Sequence, residues 1–161
     1  MERVLRFLRS AYDGASWLLN WLQSPLLFLI RIFWGPQLVM TGWGKLQHID
    51  KVAQFFAALN LPAPMATAIF VGMVEFIGGI LFTLGIGTRL VSLVIFVNMT
   101  VAYWTADRDA LLGIFSMPDK FYGADPFTFW FSALIILVFG PGVIAVDWFL
   151  LRKVKPVRAI Q

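Results

Sequence analysis

Four apolar segments, each near the length that a helix needs to cross a bilayer, constrain this chain more than any other feature. They cover residues 26–44, 65–84, 90–106 and 126–144. A spanning helix takes about 20 mostly apolar residues, so the last two are near the short limit. Composition agrees, because 60% of the chain is hydrophobic and only 14% is charged, against about 25% charged in soluble domains. We predict an all-α integral membrane protein, a bundle of four spanning helices.

The first 24 residues form a different kind of helix. At 100° per residue the leucines fall on one side, and the charged residues, including Arg3, Arg6 and Arg9, fall on the other. This pattern predicts an amphipathic helix lying in the membrane plane with its arginines toward anionic lipid. A cleaved signal peptide is the competing interpretation. It requires a continuous apolar core and a small-residue cleavage site, and this segment has neither.

Basic residues between the segments predict the orientation. Lysine and arginine are enriched in cytoplasmic segments, which favours placing both termini in the cytoplasm and residues 107–125, a polar stretch long enough for a short helix or lid, outside. The expected inner residues are Arg3, Arg6, Arg9, Arg89, Arg152, Lys153, Lys155 and Arg158, and the expected outer ones are Lys45, Lys51, Arg108 and Lys120. We expect the inner residues other than Arg158 to contact lipid, and we expect no contact with nucleic acid. The predicted parts are thus an interfacial helix over 1–24, a membrane domain over 25–150 and a basic cytoplasmic tail over 151–161.

Cysteine is absent and histidine occurs once, at position 48. The chain therefore encodes no disulfide, thiolate nucleophile, zinc thiolate site or iron–sulfur cluster. We expect no metal site and no covalently bound cofactor. His48 follows the first span, where it is either a solvated loop residue or a donor to a ligand carbonyl.

Two charged residues and one amide lie inside the predicted spans. Glu75 is about ten residues from each end of the second span, Asn98 is near the middle of the third, and Arg31 is about one and a half turns inside the first. A charge facing lipid costs at least about 2.5–3.5 kcal/mol, so each must face a polar group. Arg31 and Glu75 differ in depth by roughly 6–8 Å, within reach of a guanidinium. We predict that they pair or share a water.

This expected pair has two interpretations. It either fixes the register of the helices, or it lines a polar pocket with Asn98 where a proton or a small ligand is handled. In the second case Arg31 and Glu75 are the candidate catalytic residues. Trp34 is a candidate for stacking on a quinone ring, although aromatic belts at membrane interfaces explain most tryptophans in such chains.

The motifs resemble those of the DoxX family of small bacterial and archaeal membrane proteins. The resemblance rests on Arg31 and Gly35, GWGKL at 42–46, VEFIGGILFTLGIGTR at 74–89, and GPG followed by an aspartate at 140–147. It implies a four-helix protein of the cytoplasmic membrane, related to a subunit of a thiosulfate:quinone oxidoreductase and to members of oxidative-stress and thiol-homeostasis complexes.

Two functions follow from the resemblance and the buried polar residues. The first is the membrane subunit of a quinone-linked oxidoreductase or redox-homeostasis assembly, whose polar pocket around Glu75 binds quinone with Arg31, Trp34, Asn98 and His48 as further candidates. A partner subunit then holds any redox cofactor. The second is a structural accessory subunit of a larger respiratory or photosynthetic complex, without chemistry of its own. Whether the chain is itself an enzyme stays open at this stage.

Overall fold

The computed structural model of the chain describes residues 2–153, and this part is built from helices joined by short turns. The helical fold class predicted from the apolar segments is confirmed. The last eight residues, including Lys155 and Arg158 of the predicted tail, lie outside the described range. The helices are α1 Glu2–Gln47, α2 Ile49–Ala58, α3 Pro64–Leu84, α4 Thr88–Ala106, α5 Arg108–Leu112, α6 Pro118–Gly123, α7 Phe127–Phe139 and α8 Val146–Lys153.

Helix α1 runs without interruption through the predicted interfacial segment and the first span. Pro25 and Pro36 both lie inside it, since a membrane helix tolerates proline where neighbouring groups satisfy the freed carbonyls. The chain therefore has no helix break between residues 24 and 26. Side chains described between Tyr12 and Gln23 are exposed apart from half-buried Ser16. That this part lies in the membrane plane stays a prediction.

Helices α3 and α4 reproduce the second and third predicted spans to within two residues at each end. Pro64 opens α3 at a position where a helix does not need the missing N–H. Gly85 ends it in the left-handed conformation (φ 73°), and its N–H donates to the carbonyls of Leu81 and Phe82. Gly87, also left-handed, precedes α4. These glycines make the tight turn between the two helices.

Helix α7 is shorter than the predicted fourth span, 126–144. It has 13 residues and so a length of about 20 Å, less than the roughly 30 Å hydrocarbon core. Gly140 and Gly142 have φ of 80° and 76° and take the chain out of the helix. Within the described range, three helices are long and apolar enough to cross a membrane, namely α3, α4 and the Tyr12–Gln47 part of α1.

The four long helices form an antiparallel bundle in which α1 packs on α3, α3 on α4, α4 on α7 and α7 on α1. Its core is an apolar cluster of Leu27, Leu38, Phe82, Ile95, Met99, Ala133 and Ile136. Helices α2, α5 and α6 lie at one end, the cap end. The α3–α4 turn, the loop over 140–145 and α8 lie at the other, the turn end.

Candidate functional site

Close packing of α1 on α3 builds the surroundings of Glu75. A Cβ added at Gly42 would overlap the backbone nitrogen of Phe76 and lie 2.8 Å from the carbonyl carbon of Glu75. A Cβ at Gly79 would lie 2.8 Å from the backbone nitrogen of Val39. Small residues let two helices approach this closely in a membrane. The glycines therefore set the position of Glu75 against α1.

The carboxylate of Glu75 is paired with the ammonium of Lys45. Glu75 is 3% exposed, and the Lys45 Nζ donates to both of its carboxylate oxygens. The Lys45 side chain, by contrast, is 32% exposed. The buried negative charge is thus neutralised by a cation whose other side remains accessible.

The expected pairing of Arg31 with Glu75 is wrong. Gly42 lies opposite Glu75, and Gly35 lies against Thr83. Arg31 comes one turn before Gly35 in α1, nearer the turn end, and is eleven residues from Gly42. At about 1.5 Å per residue that separation is roughly 16 Å. The depth estimate failed because it was counted from the predicted start of the span, whereas α1 extends far beyond the bundle.

Arg31 instead bonds to two backbone carbonyls at the turn end. It is fully buried, its Nη1 donates to the Thr83 carbonyl at 3.1 Å, and its Nη2 donates to the Ile144 carbonyl. These carbonyls belong to the last turn of α3 and to the loop before α8. Arg31 therefore ties three segments of the chain together at this end of the bundle.

Asp147 completes the network at the turn end, a role that the sequence does not reveal directly. Its carboxylate accepts from the N–H of Gly87 at 2.8 Å, and from the N–H and hydroxyl of Thr88 at 2.8 and 2.7 Å. Burial raises the pKa of Asp147, but these hydrogen bonds and the charge of Arg31 outweigh burial and hold the pKa below its usual range. The available signal was Gly87 itself, since a glycine before a helix has no side chain with which to cap it.

Asn98 lies near the level of Glu75. A Cβ added at Gly78, three residues after Glu75, would lie 3.5 Å from the Ile95 side chain on antiparallel α4, which places Asn98 about level with the carboxylate. The Asn98 side chain is half-buried and makes no hydrogen bond to any residue in the described range.

The other candidates lie elsewhere. Trp34 is half-buried and meets Phe129 edge-to-face, with ring centroids 6.4 Å apart. His48 is exposed just beyond α1, and its Nδ1 is 3.0 Å from the carbonyl oxygen of Gly44. The structure thus places Glu75 and Asn98 at about one level, with Lys45 paired to Glu75. Arg31 and Trp34 lie away from this group. Lys45 was assigned from sequence only to the outer membrane face.

A cavity of about 520 Å³ lies at the cap end rather than beside Glu75. It is lined in part by Asp107, Arg108, Asp109 and Lys120. Burial, and then the charge of Asp125, raises the pKa of Asp107. We refer to this cavity as the cap groove.

The basic residues assigned to lipid contact can be checked only in part. Arg6, Arg9, Arg89 and Arg152 are exposed, and the Arg152 guanidinium lies 4.8 Å from the centroid of the Trp148 ring. The side chains of Arg3 and Lys153 are not described, and Lys155 is beyond residue 153. Contact of these residues with lipid stays a prediction.

A helical membrane bundle with a buried carboxylate–lysine pair between its first two spanning helices is the class of protein that the fold and site define. The DoxX family model matches residues 26–108, which include Arg31, Lys45 and Glu75. The chain belongs to the DoxX family.

Among curated proteins, a relative is "Putative oxidoreductase CatD" of Bacillus subtilis (strain 168). It is 30% identical over 116 residues, which cover 63% of this chain and 85% of the relative. No solved structure matches the chain significantly.

Proposed function

We propose that this DoxX protein is the membrane subunit of an oxidoreductase assembly and binds a quinone beside Lys45 and Glu75. Family membership and the oxidoreductase name of the Bacillus subtilis relative support the redox assignment. The observation that carries the proposal is the Lys45–Glu75 pair, in which a buried carboxylate holds a partly exposed ammonium. Quinone is the ligand class because it is an apolar molecule that reaches the bundle through lipid and presents carbonyl oxygens to donors.

The pair supplies what a quinone carbonyl requires. The Lys45 ammonium has three N–H donors, and its exposed side leaves room for a ligand oxygen. The unpartnered amide of Asn98, near the same level, supplies a second donor. Reduction of a quinone to its quinol takes two electrons and two protons, which convert each carbonyl oxygen to a hydroxyl. Lys45 and Glu75 relay the protons.

The electrons come from a partner subunit. The chain has no cysteine with which to hold an iron–sulfur cluster or a redox-active disulfide. Its contribution is to position the quinone and to supply protons, and the partner subunit carries the redox cofactor.

Substituting each member of the pair tests this proposal. We expect Glu75→Gln and Lys45→Gln to raise the Kd for ubiquinone-1 about 10- to 100-fold, as loss of a charged hydrogen bond of about 1.5–3 kcal/mol requires. The measurement is titration calorimetry on the detergent-purified assembly. Lys51→Gln, at an exposed lysine of α2, is the matched control. Equal affinity in all four proteins would contradict the proposal.

A structural accessory role is the second candidate, and one observation favours it. Three charged residues of the bundle already have partners within the protein. Glu75 is paired with Lys45, Arg31 donates to two backbone carbonyls, and Asp147 accepts from the start of α4. Replacing a buried ion pair by apolar residues is often neutral for stability. The double variant Lys45→Met/Glu75→Met therefore separates the two roles. An accessory subunit keeps both assembly and electron transfer to quinone, whereas a quinone-binding subunit keeps assembly and loses electron transfer.

A further inference from the structure

Large apolar side chains are exposed at the cap end, at the last residue of α5 and in the turn that leads to α6. Leu112 is 65% exposed, Phe115 94% and Met117 44%. We call these three residues the apolar tip. Single exposed apolar residues are ordinary on protein surfaces, whereas large apolar residues exposed together mark an interaction or membrane site.

The depth of this segment follows from its contacts with α4. The hydroxyl of Tyr103 donates to the carbonyl of Phe121 in α6 at 2.7 Å, and the two rings stack with centroids 5.0 Å apart. Tyr103 belongs to the last turn of α4, a helix of 19 residues. Such a helix is about 28 Å long, close to the thickness of the hydrocarbon core. The α5–α6 segment therefore lies at the boundary between hydrocarbon and headgroups.

The exposed face of α4 carries apolar side chains as far as the start of the α5–α6 segment. Val97, Val101 and Trp104 are about half exposed and lie on one stripe of the helix. Next along the chain, the Arg108 guanidinium lies over the Trp104 ring, 4.8 Å from its centroid. Tryptophan and arginine together are typical of a membrane interface, where an aromatic ring sits at headgroup level. Leu112 follows one turn after Arg108.

The polar residues of the same segment surround the cap groove. Arg108, Asp109 and Lys120 line the cap groove, whereas no residue of the apolar tip does. The segment is thus amphipathic as a folded unit, with charged groups around a water-accessible groove and large apolar groups outside it. Amphipathic segments at this depth bury their apolar side in the acyl region.

We propose that the α5–α6 turn inserts Leu112, Phe115 and Met117 into the adjacent lipid leaflet, so that acyl chains are the partner of this surface. The turn then anchors the cap end, and the cap groove opens toward the headgroups. This inference is independent of the quinone site, because it rests on exposure, depth and charge at the cap end alone.

Site-directed spin labelling tests the insertion directly, and the cysteine-free sequence permits single-cysteine variants without background. Phe115→Cys carries the label, and the protein is reconstituted in phosphatidylethanolamine–phosphatidylglycerol vesicles. Accessibility to oxygen, which concentrates in hydrocarbon, is compared with accessibility to a water-soluble nickel chelate. Val101→Cys on the exposed face of α4 is the lipid reference, and Asp119→Cys, at an exposed position of α6, is the water reference.

The proposal predicts that position 115 matches position 101, with an oxygen-to-nickel ratio at least about tenfold above that at position 119. A ratio equal to that at position 119 would place the tip in water and overturn the proposal. Low accessibility to both reagents would show that a second copy of the protein covers the tip, and would also overturn it. Leu112→Cys repeats the measurement if Phe115→Cys does not fold.

Discussion

At the scale of single residues, the side chain that pairs with a buried charge depends on the register between helices, and the sequence alone does not contain this register. Glu75, Arg31 and Asn98 were recognisable as polar groups that must face the bundle interior. Lys45 was not recognisable as the partner of Glu75, because it stands two residues before the end of α1 and has the pattern of a topology signal. Only the glycine contacts of α1 with α3 place it beside the carboxylate.

Asp147 yields a prediction at the same scale. Asp147→Ala removes the acceptor for the first N–H groups of α4 and should cost about 1–2 kcal/mol of stability, as loss of a helix cap does. The pKa of Asp147 is lowered in the folded protein, so its stabilisation is complete above the ordinary aspartate pKa and is lost as pH falls through the folded value. Thermal unfolding in detergent, followed by circular dichroism between pH 7 and pH 3, measures both effects.

Asp119→Ala, at an exposed position on α6, is the control for this experiment. The gap in unfolding temperature between wild type and Asp147→Ala should be widest at pH 7 and should narrow in acid. A gap that stays constant across this range would show that the charge of Asp147 contributes nothing.

At the scale of elements, residues with special backbone properties decided which boundaries were predictable. The spans α3 and α4 were placed to within two residues because Pro64, Gly85 and Gly87 mark their ends. The fourth span was predicted too long because apolar residues continue past Gly140, while the backbone at Gly140 and Gly142 leaves the helix. The continuity of α1 through Pro25 was missed because proline usually marks a helix start in a soluble protein.

Two glycines of α1 make a matched pair for testing the α1–α3 interface. Gly42→Ala should push α1 away from α3, since its Cβ would overlap the Phe76 backbone, and should cost about 1–3 kcal/mol as overpacking does. Gly44→Ala meets nothing within 4 Å and should stabilise the helix by up to about 1 kcal/mol. Unfolding temperatures in detergent compare the two variants, and equal shifts would mean that the close approach at Gly42 is not a stabilising contact.

At the scale of the whole molecule, composition and segment length were sufficient to predict a helical membrane bundle, because an apolar chain of this length has few other ways to satisfy its backbone. They were not sufficient to locate a binding site. Antiparallel packing brings Lys45 of α1, Glu75 of α3 and Asn98 of α4 toward one level, whereas Arg31 and Asp147 hold the turn end together. The molecule thus separates a structural network at one end from a candidate ligand site nearer its middle.

Photoaffinity labelling of native membranes with an azido-ubiquinone tests the proposed quinone site, because it locates bound quinone on the chain. Fragment-ion sequencing then assigns the modified residues. We expect labelling within residues 41–47 and 72–78, reduced about tenfold or more by Glu75→Gln and unchanged by Lys51→Gln. Labelling confined to the segment around Arg31 and Trp34, or labelling at 41–47 that Glu75→Gln does not reduce, would contradict it.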